Sequence, residues 1–394
     1  YTKSCMLKCV LKKRNIDSVC WSIILLFLVW QTFLASYSLI SNLALVCLYI
    51  CNYGKLQIKE RKIELLIVWG ISFLVAYSFI MQNEVALIVR FALILFFVLG
   101  AYFIRLNYKV CLKRLFLISF SLCLFLIIAE IFLILFGEEY AKVIRNYVQD
   151  RSIGDVYFYG FYYKIQIKGN AIIPFIYMLS YASELFPLKR KTFIRFIYLV
   201  AIFIAGNFAY LLAVGAFHSV LYFYSVRNNS MLYKRLFIGF IILLTVGGGV
   251  LSYVDTVLEE KKEESNAIRI EQATLLLEDL SKNPITLLGG TGLGNTVDVT
   301  THFRSYVGAT YYELQVLYIL NQLGVIPILL FILVNILFVF KYMPDTKIKM
   351  VYAGYILYAI TNPYIIDTNQ VVVIITLLSA QYQLSNHLPP IWKK

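Results

Sequence analysis

The chain alternates apolar runs with short polar breaks, and many of the runs approach the length of a bilayer-crossing helix. About 20 apolar residues carry a helix across the roughly 30 Å hydrocarbon core. Segments of that kind fall at roughly 19–35, 36–52, 63–81, 84–104, 114–136, 170–186, 193–207, 209–226, 235–253, 322–341, 348–362 and 368–385. The pattern predicts an all-α polytopic membrane protein of about twelve spans in one membrane domain, residues 1–394. The stretch 193–226 also admits a different split. Two long polar segments interrupt the alternation, at about 137–169 and 254–311. Cys20 to Leu34 follows Lys and Arg and has no small-residue cleavage site after it, so it reads as an anchor and not a signal peptide.

Composition agrees with a membrane class: 60% of the 394 residues are apolar and only 15% are charged. The net charge of +14 would suit nucleic acid only if the cations formed a folded basic face. They occur instead in the amino-terminal tail (Lys12, Lys13, Arg14) and in alternate loops near Lys59, Arg61, Arg105, Arg114, Lys189, Arg190, Lys234, Arg235, Lys341 and Lys347. That is the positive-inside distribution, so no nucleic-acid partner is expected. Threading the spans with the tail inside puts both termini in the cytoplasm and both long loops outside. Glu138, Glu139, Asp150, Asp155, Glu259, Glu260, Glu263, Glu264, Glu278 and Asp298 all fall in those loops.

The seven cysteines lie in the tail, in spans or in a cytoplasmic loop, which leaves the external loops without a disulfide. The three histidines, His218, His302 and His387, are not at metal-ligand spacing from one another. No metal and no cofactor are expected. Any chemistry outside the membrane therefore draws on the two loops. The first opens with a helical stretch and then carries Tyr157, Tyr159, Tyr162 and Tyr163 around Gly160, either an interfacial aromatic belt or a sugar-stacking surface. The second opens with a charged helix, about 258–281, stopped at Asn283-Pro284, and continues into Gly289-Gly290-Thr291-Gly292-Leu293-Gly294-Asn295. No Lys-Ser/Thr and no βαβ unit accompany these glycines, so they read as a turn permitting close backbone approach, not a nucleotide loop.

The order Arg269-Ile-Glu-Gln, Asn283-Pro284, the glycine turn, Tyr311-Tyr-Glu-Leu-Gln315 and Leu323-Gly-Val-Ile-Pro327 resembles the O-antigen polymerase and ligase superfamily. The close match covers about 60 residues. The wider architecture, including the Gly169-Asn170 entry to the span after the first loop, is similar as well. The resemblance implies a GT-C-like membrane glycosyltransferase of the bacterial inner membrane. It would extend an O-antigen carried on undecaprenyl diphosphate, alongside a polysaccharide co-polymerase that regulates chain length. Ligases of this superfamily usually carry a His where this chain has Glu313, and many carry a Ser-Arg pair where it has Gly206-Asn207. The polymerase branch is therefore favoured, with His302 upstream keeping the ligase reading open.

Outside the membrane there are no nucleotide sugars, so the donor must be lipid-linked, and its diphosphate leaving group needs cations. Arginine binds phosphate oxygens in pairs, which points to Arg269 and Arg304. Such a leaving group needs no general acid, and one base suffices; Glu313 fits that role, with His302 next. Arg151, Asn170 and Tyr312 complete the candidate substrate-binding set. Each has a plainer reading. Arg269 can pair with neighbouring glutamates, Glu313 can be a helix-start carboxylate, and His302 and Arg304 can be solvated loop residues. Arg90 lies within an apolar span, about 9 Å along the helix from Glu84, where it either binds diphosphate or snorkels to the headgroups. Glu130, also within a span, is expected to face the bundle interior. A lipid-linked oligosaccharide flippase is the alternative of another class, but such transporters favour short loops and internal repeats. A chain-length regulator would need few spans and a long coiled coil.

Overall fold

The computed structural model describes residues 2–30, 34, 38–53, 58–150, 154–158, 162–187, 190–226, 269–300, 305–306, 312 and 314–389. Helix dominates. In chain order the elements are α1 (Thr2–Val29), α2 (Ser38–Tyr53), α3 (Ile58–Ile80), α4 (Val85–Gly100), α5 (Tyr108–Phe136) and α6 (Glu138–Asp150). A hairpin of β1 (Gly154–Phe158) and β2 (Tyr163–Ile167) precedes α7 (Ile172–Ala182), α8 (Lys191–Ala205) and α9 (Phe208–Val226). Then come α10 over 269–280, α11 (Pro284–Gly289) and a two-residue ladder, β3 (Val299–Thr300) with β4 (Ser305–Tyr306). The chain closes with α12 (Gln315–Leu323), α13 (Val325–Tyr342), α14 (Thr346–Ile360) and α15 (Thr368–Ser385). Five described helices are long and apolar enough to cross a membrane: Glu60–Ile80, Val85–Phe103, Tyr108–Phe136, Phe208–Ser225 and Val325–Tyr342.

Local chemistry sets many of the ends. Asn107 accepts from Val110 N at the start of α5, and Asp345 accepts from Lys347 N and Ile348 N at the start of α14. The α8–α9 boundary, ambiguous in the sequence, lies at Gly206, whose φ of +60° ends α8. On either side of residues 159–161, the aromatic run of the first loop is extended. Val156 pairs with Ile165 in an antiparallel ladder, and Tyr163, Ile165 and Ile167 alternate inward along β2, the period-2 pattern of a half-buried strand. This hairpin modifies the all-α expectation. It is tied to the bundle by Glu130, which is buried in α5 and accepts from Tyr163 N at 2.8 Å.

At the centre stands α15, buried without interruption from Asn369 to Gln381 and packed on α4, α5 and α14. Around it α1 runs along α2 and α5, α5 along α8, α7 along α8 and α14, and α9 along α14. Away from this core large apolar side chains point outward, as with Trp69 (73% exposed) on α3 and Phe340 (66%) on α13. A lipid exterior suits that surface, and leaves interior polar groups to satisfy one another. Tyrosines do much of this: Tyr102 and Tyr352 both donate to Asn335 Oδ1, at 2.6 and 2.8 Å, and Tyr358 donates to Ala171 O at 2.7 Å. Gln370 Nε2 extends the network by donating to Tyr352 Oη at 3.1 Å.

Asn335 therefore joins three otherwise separate segments through one carbonyl oxygen. Asn335→Leu should lower stability in detergent by about 1–2 kcal/mol, the upper part of the range for interhelical hydrogen bonds in membranes. Leu337→Ala, on the exposed face of α13, should change it little; thermal unfolding of the two purified variants checks this.

Candidate functional site

Both long loops sit on one face of the bundle. A Cβ at Gly169 would meet the Val29 backbone, and the Gly206 turn lies against the Lys164 side chain of β2. Asn207 Nδ2 donates to Asn362 Oδ1 at 2.7 Å, which links the α8–α9 turn to the α14–α15 turn. The glycine turn of the second loop docks on the α3–α4 hairpin. Asn83 Nδ2 donates to Thr291 O and Leu293 O at 3.0 and 3.1 Å, and Tyr77 donates to Gly290 O at 2.8 Å.

The backbone donors of this turn are consumed by the protein. Thr291 N donates to Asn321 O, Gly292 N to Gln322 O, Leu293 N to Ser78 Oγ and Gly294 N to Gln322 Oε1. A phosphate-cradling loop would need those N–H groups turned outward, so the turn serves packing. Gly290, Gly292 and Gly294 have φ of +83°, +88° and +81°. Gly290 backs onto Gly324 (φ +72°), so closely that a Cβ on either would penetrate the other strand of backbone.

Behind the turn, Asp279 accepts from Lys282 Nζ at 2.6 Å and from Asn295 Nδ2 and Asn321 Nδ2, both at 3.0 Å. Burial raises its carboxyl, but these bonds and the Lys282 charge together hold it below the ordinary aspartate value. Tyr312 is fully buried beside it. Its hydroxyl donates to Val297 O at 2.6 Å and accepts from Val297 N at 3.2 Å, and burial raises its pKa. Asn170 is buried as well, its Nδ2 donating to Ile165 O at 2.8 Å, while its buried Oδ1 has no partner among the described residues. Both of these expected substrate-binding side chains thus also hydrogen-bond loop backbone. Arg269 is exposed at the start of the described part of α10, one turn before buried Gln272, whose Oε1 accepts from Leu314 N at 3.4 Å. Glu313, His302, Arg304 and Arg151 lie outside the described residues.

A group of charges lies near the end of the first loop, and the sequence singled out only one of its members. Arg90 on α4 is exposed, and its guanidinium acts electrostatically on Lys168, Asp367 and Tyr318. Lys168 follows β2, Asp367 caps α15 and Tyr318 belongs to α12, so segments far apart in sequence come within reach of one charge. Lys168 keeps an accessible side chain, yet the protein around its ammonium lowers its pKa; Asp367 opposes that shift and Arg90 adds to it. Asp367 is half-buried, and burial raises its carboxyl against the pull of bonds from Asn369 and the charge of Arg90. The preceding Ile366 has φ +54°, a left-handed conformation that a β-branched residue adopts only under constraint. Gln370 Oε1 holds it by accepting from Ile366 N at 2.8 Å.

The charges of Arg90 and Lys168 thus act around one half-buried carboxylate, Asp367, which follows the constrained backbone of Ile366. A lone Lys or Asp at a span end carries no sequence signal beyond its position, which is why Lys168 and Asp367 escape a motif reading. No three His, Cys, Asp or Glu residues among the described ones are placed to share a metal ion. No family model matches the chain, and neither does any curated relative or solved structure.

Gly290→Ala should destabilise the chain by about 2–3 kcal/mol, since a Cβ meets both an unfavourable φ and the Gln322 carbonyl. Gly70→Ala, with nothing within 4 Å of the new methyl, should be neutral or slightly stabilising. Parallel melting curves of the two variants decide it.

Proposed function

We propose that this chain is an O-antigen polymerase of a bacterial inner membrane, a metal-independent glycosyltransferase of about twelve spans with cytoplasmic termini and two periplasmic loops. It would transfer a growing glycan from undecaprenyl diphosphate to the non-reducing end of a new lipid-linked repeat unit. The observation that carries the reading is the electrostatic coupling of Arg90, Lys168 and Asp367, three groups from segments far apart in sequence, at the helix ends beside the first loop. A diphosphate anchored in the bilayer by its prenyl chain presents its charge at that depth, and the cations there suit it.

In the proposed step the acceptor hydroxyl oxygen bonds to the anomeric carbon as the bond from that carbon to the diphosphate oxygen breaks. The electron pair leaves with the diphosphate, whose charge is met by Arg90 and Lys168, with Arg269 and Arg304 from the second loop. The hydroxyl proton passes to Glu313, the carboxylate between the glycine turn and the next span. Polysaccharide co-polymerase is the expected protein partner. Ligation of the glycan to the lipid A core and flipping of lipid-linked units are the other readings that the same gel separates.

In a complemented deletion strain, Arg90→Ala and Lys168→Ala should each reduce O-antigen ladder material about tenfold or more, the cost of losing a charged hydrogen bond to phosphate. Both proteins should reach the membrane at wild-type levels. The deletion itself should leave one repeat unit on core. Core without any repeat would instead indicate a ligase or flippase. Glu313→Gln should abolish polymer while leaving expression intact, with Glu138→Gln as the control; a normal ladder from the Glu313 variant moves the base to His302.

A further inference from the structure

The face opposite the loops holds a second polar centre that glycan transfer does not use. Here the end of α7, the last turns of α9 and the start of α14 line an open cavity of about 470 Å3. Tyr181, His218, Tyr222, Tyr224, Ser225 and Lys347 line it. Its inner wall is a connected row: His218 Nε2 lies 3.0 Å from Tyr177 Oη, which lies 3.3 Å from Tyr181 Oη. The Tyr181 ring is held between two partners, the His218 ring edge-on at 4.8 Å and the Arg195 guanidinium 3.5 Å from its centroid. Arg195 is itself fixed, with Nε donating to Ser180 Oγ at 2.9 Å and Nη2 to Ser180 O at 2.5 Å. The wall is thus ordered around hydroxyl, imidazole and guanidinium groups.

Charge is unbalanced around it. Lys191 on α8 feels Arg195 one turn further along and Lys347 from α14 against Glu184, while Asp345, two residues before Lys347, turns its carboxylate to the N–H groups of Lys347 and Ile348. Like charges at i and i+4 on a helix repel, and a third cation from α14 adds to the repulsion. A general excess of cations on this face would follow from membrane orientation alone. Convergence from two helices on a preformed, aromatic-walled cavity goes beyond that, because an anion seated there relieves a repulsion built into the fold.

We propose that this cavity binds a phosphate group, with Lys347 at its rim as the direct cation and Arg195 and Lys191 supplying the surrounding field. The tyrosine and histidine hydrogen-bonding groups suit phosphate oxygens, and the aromatic rings suit the apolar part of whatever carries it. The phosphate belongs either to an anionic lipid of that leaflet or to free phosphate in solution.

The full-length chain, purified in detergent, is examined by native mass spectrometry with phosphatidylglycerol or phosphatidylcholine added. Wild type should retain phosphatidylglycerol selectively. Lys347→Ala should weaken it about fivefold and Lys347→Glu about tenfold or more, at roughly 1 kcal/mol per interfacial cation. Lys341→Glu, an exposed cation in the last turn of α13, should leave it unchanged. Displacement of the lipid by millimolar inorganic phosphate would identify free phosphate as the occupant, and resistance to it would identify the lipid. Equal retention by wild type and both Lys347 variants would overturn the proposal, as would equal retention of phosphatidylcholine.

Discussion

Gly290 and Gly324 meet backbone to backbone, and the geometry of the loop face depends on that contact. Because neither carries a Cβ, the turn after α11 can lie against the junction of α12 and α13. The N–H groups of Thr291 and Gly292 then reach the carbonyls of Asn321 and Gln322. The same close approach brings Gly292 and Gly294 onto Ser78, Leu87 and the backbone of Ile88, so the second loop is seated on the α3–α4 hairpin. Arg90 lies one turn beyond those residues, which places it within electrostatic reach of Tyr318 on α12. The turn is structural, and the cationic cluster is a consequence of how tightly it packs.

The first loop reaches that cluster by a different route. Glu130 anchors the hairpin from within α5, and Asn170 closes the turn from β2 into α7. Between them the hairpin has little freedom, and Lys168 is delivered to the neighbourhood of Asp367. On the far side of the bundle the charges are arranged otherwise. Arg105 pairs with Glu60 at 3.2 Å and donates to Tyr102 O at 2.6 Å, while Arg114 donates to Ser18 O. There Arg105 closes a helix end and Arg114 links α5 to the middle of α1.

An apolar exterior leaves little net hydrophobic force between helices in lipid, so polar and aromatic contacts have more to do. Asn335 and the tyrosines around α15 meet that need with hydrogen bonds that cross between helices. The arrangement also explains how so short a helix as α7 can be almost wholly buried: Tyr358 ties its start, and Arg195 ties its end through Ser180.

What the sequence determined by itself was local. Apolar runs marked the helices, Asn283-Pro284 marked a stop, and the absence of a Lys-Ser/Thr argued against a nucleotide loop before any backbone donor could be traced. Glu130 was recognisable as inward-facing because an ionised group in a long apolar run has few other places to go. Periodicity and capping act within a few residues, so they can be read along the chain. Only the tertiary structure decided that Tyr312 and Asn170 bond loop backbone, that β1 and β2 pair as a hairpin, and that the charge of Arg90 acts on Lys168 and Asp367. Those outcomes depend on which distant segments pack together, and a lone charge at a helix end looks the same in sequence whichever partner it finds.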